Sequence, residues 1–213
     1  MNNLIGIISI TIYIVLVLVM SKFLTKKGKE ASRKFVHIML SNIWFFYLIF
    51  IDSISYAWIL PAVFVIMNSL SYKFKIFKSI ERENSDGFGT IYYAISILLI
   101  SLFTYKIGNP LLGLPGILVM GYGDGFAAII GQKIKSKEYK VGNTTKTIAG
   151  STTMFLFSLA ICMVVFRILN MEYFWVKAIG VAVVATILEA VSIKGLDNIS
   201  VPVLVTILTY LSL

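Results

Sequence analysis

Hydrophobic residues run along this chain in long blocks, and polar residues gather in the short stretches between them. A block of about 18 or more apolar residues with few charges is long enough to cross a bilayer as a helix. Blocks near Leu4–Leu24, Phe35–Ile51, Tyr56–Tyr72, Thr90–Tyr105, Leu111–Gln132, Ile148–Leu169, Phe174–Ile193 and Val201–Leu213 each predict a span. The last is short. Its 13 residues rise about 20 Å as a helix, against about 30 Å of hydrocarbon. It is expected to pack inside the bundle or to begin before residue 201. No internal repeat is visible. The pattern predicts an all-α, polytopic integral membrane bundle of about seven to eight transmembrane helices, forming one domain over residues 1–213.

Composition agrees. The chain is 58% hydrophobic and 14% charged, with a mean hydropathy of +0.90; soluble domains are about half apolar and about a quarter charged. A cleavable signal peptide is not expected, because the first apolar block is too long for an h-region and no basic segment precedes it. The net charge of +9 raises nucleic acid as a partner, but the positions of the cations argue otherwise. The first, third, fifth and seventh loops carry sixteen lysines and arginines, and the alternate loops carry only Lys106, Arg167 and Lys177. That bias is the positive-inside rule; it puts the odd loops in the cytoplasm and both termini outside, and no nucleic acid is needed. The single cysteine, Cys162, excludes an internal disulfide, and the single histidine, His37, excludes a multi-histidine metal site.

Five polar clusters stand out, and the odd loops place all of them on the cytoplasmic side. Arg33 and His37, in Arg33-Lys34-Phe35-Val36-His37, are four apart and share a helix face. Basic residues at a span end are ordinary anchors, whereas an ionisable residue inside a span is a functional candidate. Residues 81–93 mix acids, Asn84 and Gly89; Glu81 and Asp86 read as a solvated loop. Gly121-Tyr122-Gly123-Asp124-Gly125 lies midway along an otherwise apolar run. Its glycines weaken the helix and admit another backbone or a phosphate. Gly121 and Gly125 also suit helix packing, but packing does not explain Asp124, which reads as a magnesium ligand. Residues 143–151 set Lys146 among hydroxyls and glycine at a predicted helix start, which suits phosphate; Thr145 or Thr147 could equally cap that helix. Glu189 is buried in an apolar span and needs a cationic partner, while Asp197 and Asn198 fall in the next loop, before Pro202 opens the last helix.

Carboxylates for a cation, cations for phosphates and glycines for close approach, all facing one side of a membrane, favour phosphoryl or nucleotidyl transfer involving a lipid. An ion-coupled transporter also uses intramembrane acids and glycine-broken helices, but its sites lie near the midplane of repeated halves. A purely structural membrane protein leaves Asp124 and Glu189 without a reason.

Four ordered motifs resemble the polyprenol kinase family, which includes dolichol kinases, phytol kinases and CTP-dependent diacylglycerol kinases. They are Arg33-Lys34-x-x-His37, Gly123-Asp124-Gly125-Phe126-Ala127 with Gly131, Lys146-Thr147-x-x-Gly150-Ser151, and Glu189…Asp197-Asn198…Pro202, covering about residues 33–213. The segment Gly89-Thr90-Ile91-Tyr92-Tyr93 is similar too. The resemblance implies a kinase that moves a phosphoryl group from CTP, with Mg2+ or another divalent cation, to a membrane isoprenoid alcohol or diacylglycerol. The expected location is the plasma membrane of a prokaryote. More distantly, the chain is similar to CTP:phosphatidate cytidylyltransferases, but it lacks their G-G-x-x-D-R-x-D ending and offers only Gly195-Leu196-Asp197-Asn198. The roles implied are these. Asp124 holds the metal with Asp197 or Asn198. Lys146 and the turn through Thr147, Gly150 and Ser151 bind nucleotide phosphates, with Gly123 and Gly125 close by. Arg33 and Lys34 stabilise the transferring phosphoryl. Glu189, Asp124 or His37 takes the hydroxyl proton.

Overall fold

A computed structural model describes residues 2–25, 28–74, 88–142 and 144–213. Lys26, Lys27, Lys75, Lys78, Glu81, Arg82, Asn84, Asp86 and Asn143 therefore lie outside the described residues. The expected all-helical bundle is present. Helix α1 is Asn2–Leu24, α2 Lys29–Ser41, α3 Ile43–Phe50, α4 Ile54–Ala57 and α5 Ile59–Phe74. Then follow α6 (Gly89–Ile107), α7 (Gly113–Leu118), a π-helical turn (Val119–Asp124) and α8 (Gly125–Lys133). An antiparallel hairpin, β1 (Glu138–Val141) and β2 (Thr144–Thr147), leads into α9 (Ile148–Ile168), α10 (Phe174–Val191) and α11 (Asp197–Leu211). Among the described residues, six stretches are long and apolar enough to cross a membrane.

Three expectations are corrected. The second span is not one helix. It starts at Lys29 and is interrupted at Asn42, where the backbone N–H bonds the carbonyl three residues back and the side chain is taken up by a distant span: Tyr122 donates to Asn42 Oδ1 at 2.9 Å. The last helix begins at Asp197, so Pro202 lies within it and does not open it. Proline has no N–H, and the carbonyl of Asn198 therefore has no donor four residues on. Lys146 lies on strand β2, ahead of α9, and not at a helix start.

The segment from Pro110 to Lys133 runs through the middle of the bundle and is by far the most buried of the long spans. At the end away from the polar clusters, aromatic groups close the broken helices. Tyr105 donates to the carbonyls of Tyr47 and Ile51 at 3.0 and 2.9 Å, and Trp44 donates to that of Pro110 at 3.0 Å. Backbone carbonyls freed at membrane depth are thereby satisfied inside the protein. The other end stays polar, and the motif residues gather there.

Candidate active site

The π-helical turn sets the site. A π turn displaces the side chains after it relative to an α-helix, and such turns recur where a helix must aim a residue. This one aims Asp124 at α2. The flanking glycines allow α2 to approach. A Cβ on Gly121 would meet Ser41 Cβ at 2.3 Å, and one on Gly125 would meet Ile38 Cγ1 at 2.3 Å. A Cβ on Gly123 would meet the sulfur of Met154 on α9 at 2.7 Å. Gly123 and Gly125 are thus helix contacts and do not line the polar pocket. Gly125→Ala is expected to push α2 away and cost about 1–3 kcal/mol. Adding Ile38→Ala, which removes the clashing atom, should recover part of that loss in thermal unfolding in detergent.

With α2 this close, Lys34 Nζ bonds Asp124 Oδ2 at 2.6 Å, and His37 Nε2 lies 3.2 Å from the Met120 carbonyl and 3.5 Å from Asp124 Oδ2. Lys34 and Asp124 are both buried. Arg33, one position earlier, is held by both carboxylate oxygens of Glu30, a partner that the motifs did not single out.

A second buried pair faces the first. Glu189, at the end of α10, needed a cation, and Lys146 supplies it: Lys146 Nζ lies 2.6 Å from Glu189 Oε1 and also donates to the Glu189 carbonyl. The hairpin makes this possible by carrying Lys146 back over the end of α10. Thr147 caps α9, its hydroxyl accepting from the Gly150 N–H at 3.1 Å, as one of the two sequence readings required. Ser151 Oγ is 2.6 Å from the hydroxyl of Tyr139 on β1. Gly150 and Gly131 sit face to face, so α8 and α9 pack closely beneath the hairpin.

The turn into α11 completes the ring. Lys194 and Gly195 both take the left-handed backbone, at φ 54° and 79°, and at Gly195 only a residue without Cβ also fits, because a Cβ there would come within 2.9 Å of Gly89 Cα. The turn delivers Asp197, whose Oδ1 accepts from the Asn198 N–H and side-chain amide, both at 3.0 Å.

Carboxylate oxygens of Asp124, Glu189 and Asp197 lie within 4.8 Å of one another. Three oxygen donors from three separate elements fit a hard divalent cation such as Mg2+, which prefers carboxylates and substrate oxygens. Glu189 enters this set in addition to the expected Asp124 and Asp197.

These residues edge a pocket of about 240 Å³, which also takes in Arg33, Lys34, Lys146, Thr147, Gly150, Ser151 and Asn198. The sequence-predicted site residues are therefore brought together, apart from Gly123, Gly125 and His37. His37 lines a neighbouring apolar chamber of about 340 Å³. The two cavities share Arg33, Gly89, Thr90 and Asn198 as a common wall.

Fold and site define a polytopic helical membrane protein with a carboxylate- and lysine-lined pocket at one end of its bundle. Similar chains carry a consistent name. A phytol kinase of Synechocystis sp. is 37% identical over 136 residues, 62% of this chain and 58% of that protein. Phytol kinase 1, chloroplastic, of Arabidopsis thaliana is 31% identical over 215 residues, covering 89% of this chain and 69% of the relative. A probable chloroplastic phytol kinase of Zea mays is 30% identical, covering 86% and 67%. The chain belongs to the phytol kinase family. It spans somewhat over half the length of the Synechocystis protein. No family model and no solved structure matches the chain.

Proposed function

We propose that this chain is a lipid-alcohol kinase that moves the terminal phosphoryl group of CTP to a membrane isoprenoid alcohol of the phytol class, at the cytoplasmic face of a prokaryotic cell membrane. The observation that carries this reading is the shared wall between the charged pocket and the apolar chamber. A water-soluble donor and a lipid acceptor need two such compartments meeting at one point. The names of the relatives support the choice of acceptor, and the basic odd loops support the cytoplasmic orientation.

In this reading the nucleotide phosphates enter the polar pocket beside Lys146, Thr147, Gly150 and Ser151. Asp124, Glu189 and Asp197 would hold Mg2+, which when bound neutralises charge on the phosphates. Lys34 holds Asp124 and Lys146 holds Glu189 before the nucleotide arrives, and both turn to its phosphate oxygens afterwards. Arg33, on the wall common to both cavities, meets the transferring group as its charge develops. The lipid oxygen forms its bond to the γ-phosphorus while the bond from that phosphorus to the bridging oxygen breaks, and the nucleoside diphosphate leaves. Among His37, Asp124 and Glu189, only His37 lines the chamber. It therefore takes the hydroxyl proton, with Asp124 Oδ2 3.5 Å behind it. His37 Nε2 faces a carbonyl and so carries the ring hydrogen, which leaves Nδ1 to accept.

Purified protein in lipid micelles with Mg2+ tests this when offered phytol, farnesol and diacylglycerol with either CTP or ATP. Phytyl phosphate formed faster from CTP is the expected result. Failure to phosphorylate any alcohol with either donor would remove the reading.

A further inference from the structure

We propose that the apolar chamber between α1, α2, α5 and α6 is the seat of a single isoprenoid chain, entered sideways from the membrane between α1 and α5, with the Tyr93 hydroxyl as the hydrogen-bonding partner of the lipid alcohol. The isoprenoid class of the occupant rests on the kinase reading; the chamber and its opening to the membrane do not.

The chamber is built with unusual regularity. Helix α1 lines it with residues 11, 14, 15 and 18, and the same i, i+3, i+4, i+7 spacing is repeated from Arg33 on α2, Leu60 on α5 and Thr90 on α6. Four helices thus turn one stripe each towards a common space. Stripes of that kind normally meet and fill the interior; these four enclose about 340 Å³, a volume at the lower end of the roughly 300–1,000 Å³ of small-ligand sites. That size suits one chain and is too small for the two chains of a diacylglycerol. The wall is mostly apolar; Thr11 and Asn68 are polar exceptions away from the polar pocket, and Arg33, Thr90 and Asn198 stand at the end shared with it.

An opening to lipid follows from the packing. Helix α1 packs on α2 and α3, and α5 packs on α4 and α6. Across the chamber, among the described residues, α1 and α5 touch slightly at most. The chamber residues along this seam, Val15, Val63 and Met67, are 53%, 48% and 44% exposed. They lie within the spans, so what they are exposed to is hydrocarbon.

The second observation is an orphan. Tyr93 lines the chamber, is 5% exposed, and its hydroxyl has no hydrogen-bond partner among the described residues. A buried hydroxyl left unpaired costs about 1–3 kcal/mol, and it sits beside His37, ring centroids 4.6 Å apart. Buried polar groups without partners call for an explanation. A ligand hydroxyl arriving at the polar end of the chamber supplies one. Tyr93 acts here as a positioning residue that holds the alcohol oxygen near the shared wall.

The test has two arms. In nanodiscs, a phytol analogue with a diazirine near its chain end is expected to label residues 11–18 and 60–68, and Val63→Trp, which fills the mouth, should reduce labelling at least fivefold. Excess phytol should compete, and excess diacylglycerol should not. In the kinetic arm, Tyr93→Phe should raise KM for phytol about tenfold, leave KM for the nucleotide unchanged and leave thermal stability equal or higher. Labelling spread over the outer surface and indifferent to Val63→Trp, competition by diacylglycerol, or an unchanged phytol KM in Tyr93→Phe would overturn the proposal. If no phosphoryl transfer occurs at all, the kinase reading fails, and the labelling arm still decides the chamber.

Discussion

Asp124→Asn is expected to reduce phosphoryl transfer about a thousand-fold or more while the protein still elutes as a single folded species. The carboxylate is the hub of the site: it joins Lys34 and His37 on α2 to the acidic group completed by Glu189 and Asp197. Loss of one preorganised charged group from such a centre typically costs two to three orders of magnitude, and if Asp124 holds the proposed cation its loss would add to that. Stability also changes, for a separate reason. Lys34 is 5% exposed, and stripping a buried cation of its partner costs about 3–5 kcal/mol; the amide oxygen of asparagine offsets part of this. Adding Lys34→Met removes the stranded charge. The double variant should therefore regain thermal stability and remain inactive. An active Asp124→Asn protein would contradict the metal-ligand role, and an inactive variant whose activity returned with Lys34→Met would show that Asp124 acts only by holding Lys34.

The second large effect is coupling between cation and nucleotide. Each of two candidate ligands is occupied by a lysine at 2.6 Å, Asp124 by Lys34 and Glu189 by Lys146. A cation alone must displace both ammonium groups and leave them buried beside it. A nucleotide alone brings phosphates towards three carboxylates. Together, each would relieve the other: Asp124, Glu189 and Asp197 would be free to hold the cation while Lys34 and Lys146 turned to the phosphates. Mg2+ affinity, followed by calorimetry with a non-hydrolysable CTP analogue, is expected to rise at least about tenfold when nucleotide is present, and nucleotide affinity must rise by the same factor. In Lys146→Met the coupling should shrink, because Glu189 is free from the start and one phosphate partner is gone. Equal Mg2+ affinity with and without nucleotide would rule out the exchange of partners.

Much of this site was legible from the chain because charge in an apolar run is conspicuous. Asp124 and Glu189 stood out for that reason alone, and both proved buried and paired. Their partners could not be named in advance. Lys34 is 90 residues from Asp124 and Lys146 is 43 from Glu189, and only the folded bundle sets such distances. The glycines around Asp124 invited two readings, and packing decided between them: they admit α2 and α9, not a phosphate. The π turn has no signal in residue type. The β-hairpin did have one, since Gly142-Asn143 between short runs rich in valine, tyrosine and threonine is a hairpin pattern, but hydroxyls and glycines before an apolar run are equally the pattern of a helix start. Tyr93 closes the polar cluster at residues 81–93, and its importance lies in a missing hydrogen bond, which no sequence can display. The all-helical membrane bundle was readable from the hydrophobic blocks, whereas the interruption at Asn42 was not, since no proline or glycine marks it.

The most direct measurement of the central claim follows the phosphorus atom. CTP labelled separately at the α- and γ-phosphates is supplied with Mg2+, phytol and phosphatidate to the purified protein in lipid micelles. Label from the γ-position on phytol, with none from the α-position on any lipid, is the result expected of a lipid-alcohol kinase. Label from the α-position appearing on phosphatidate would contradict it and identify a cytidylyl transfer instead.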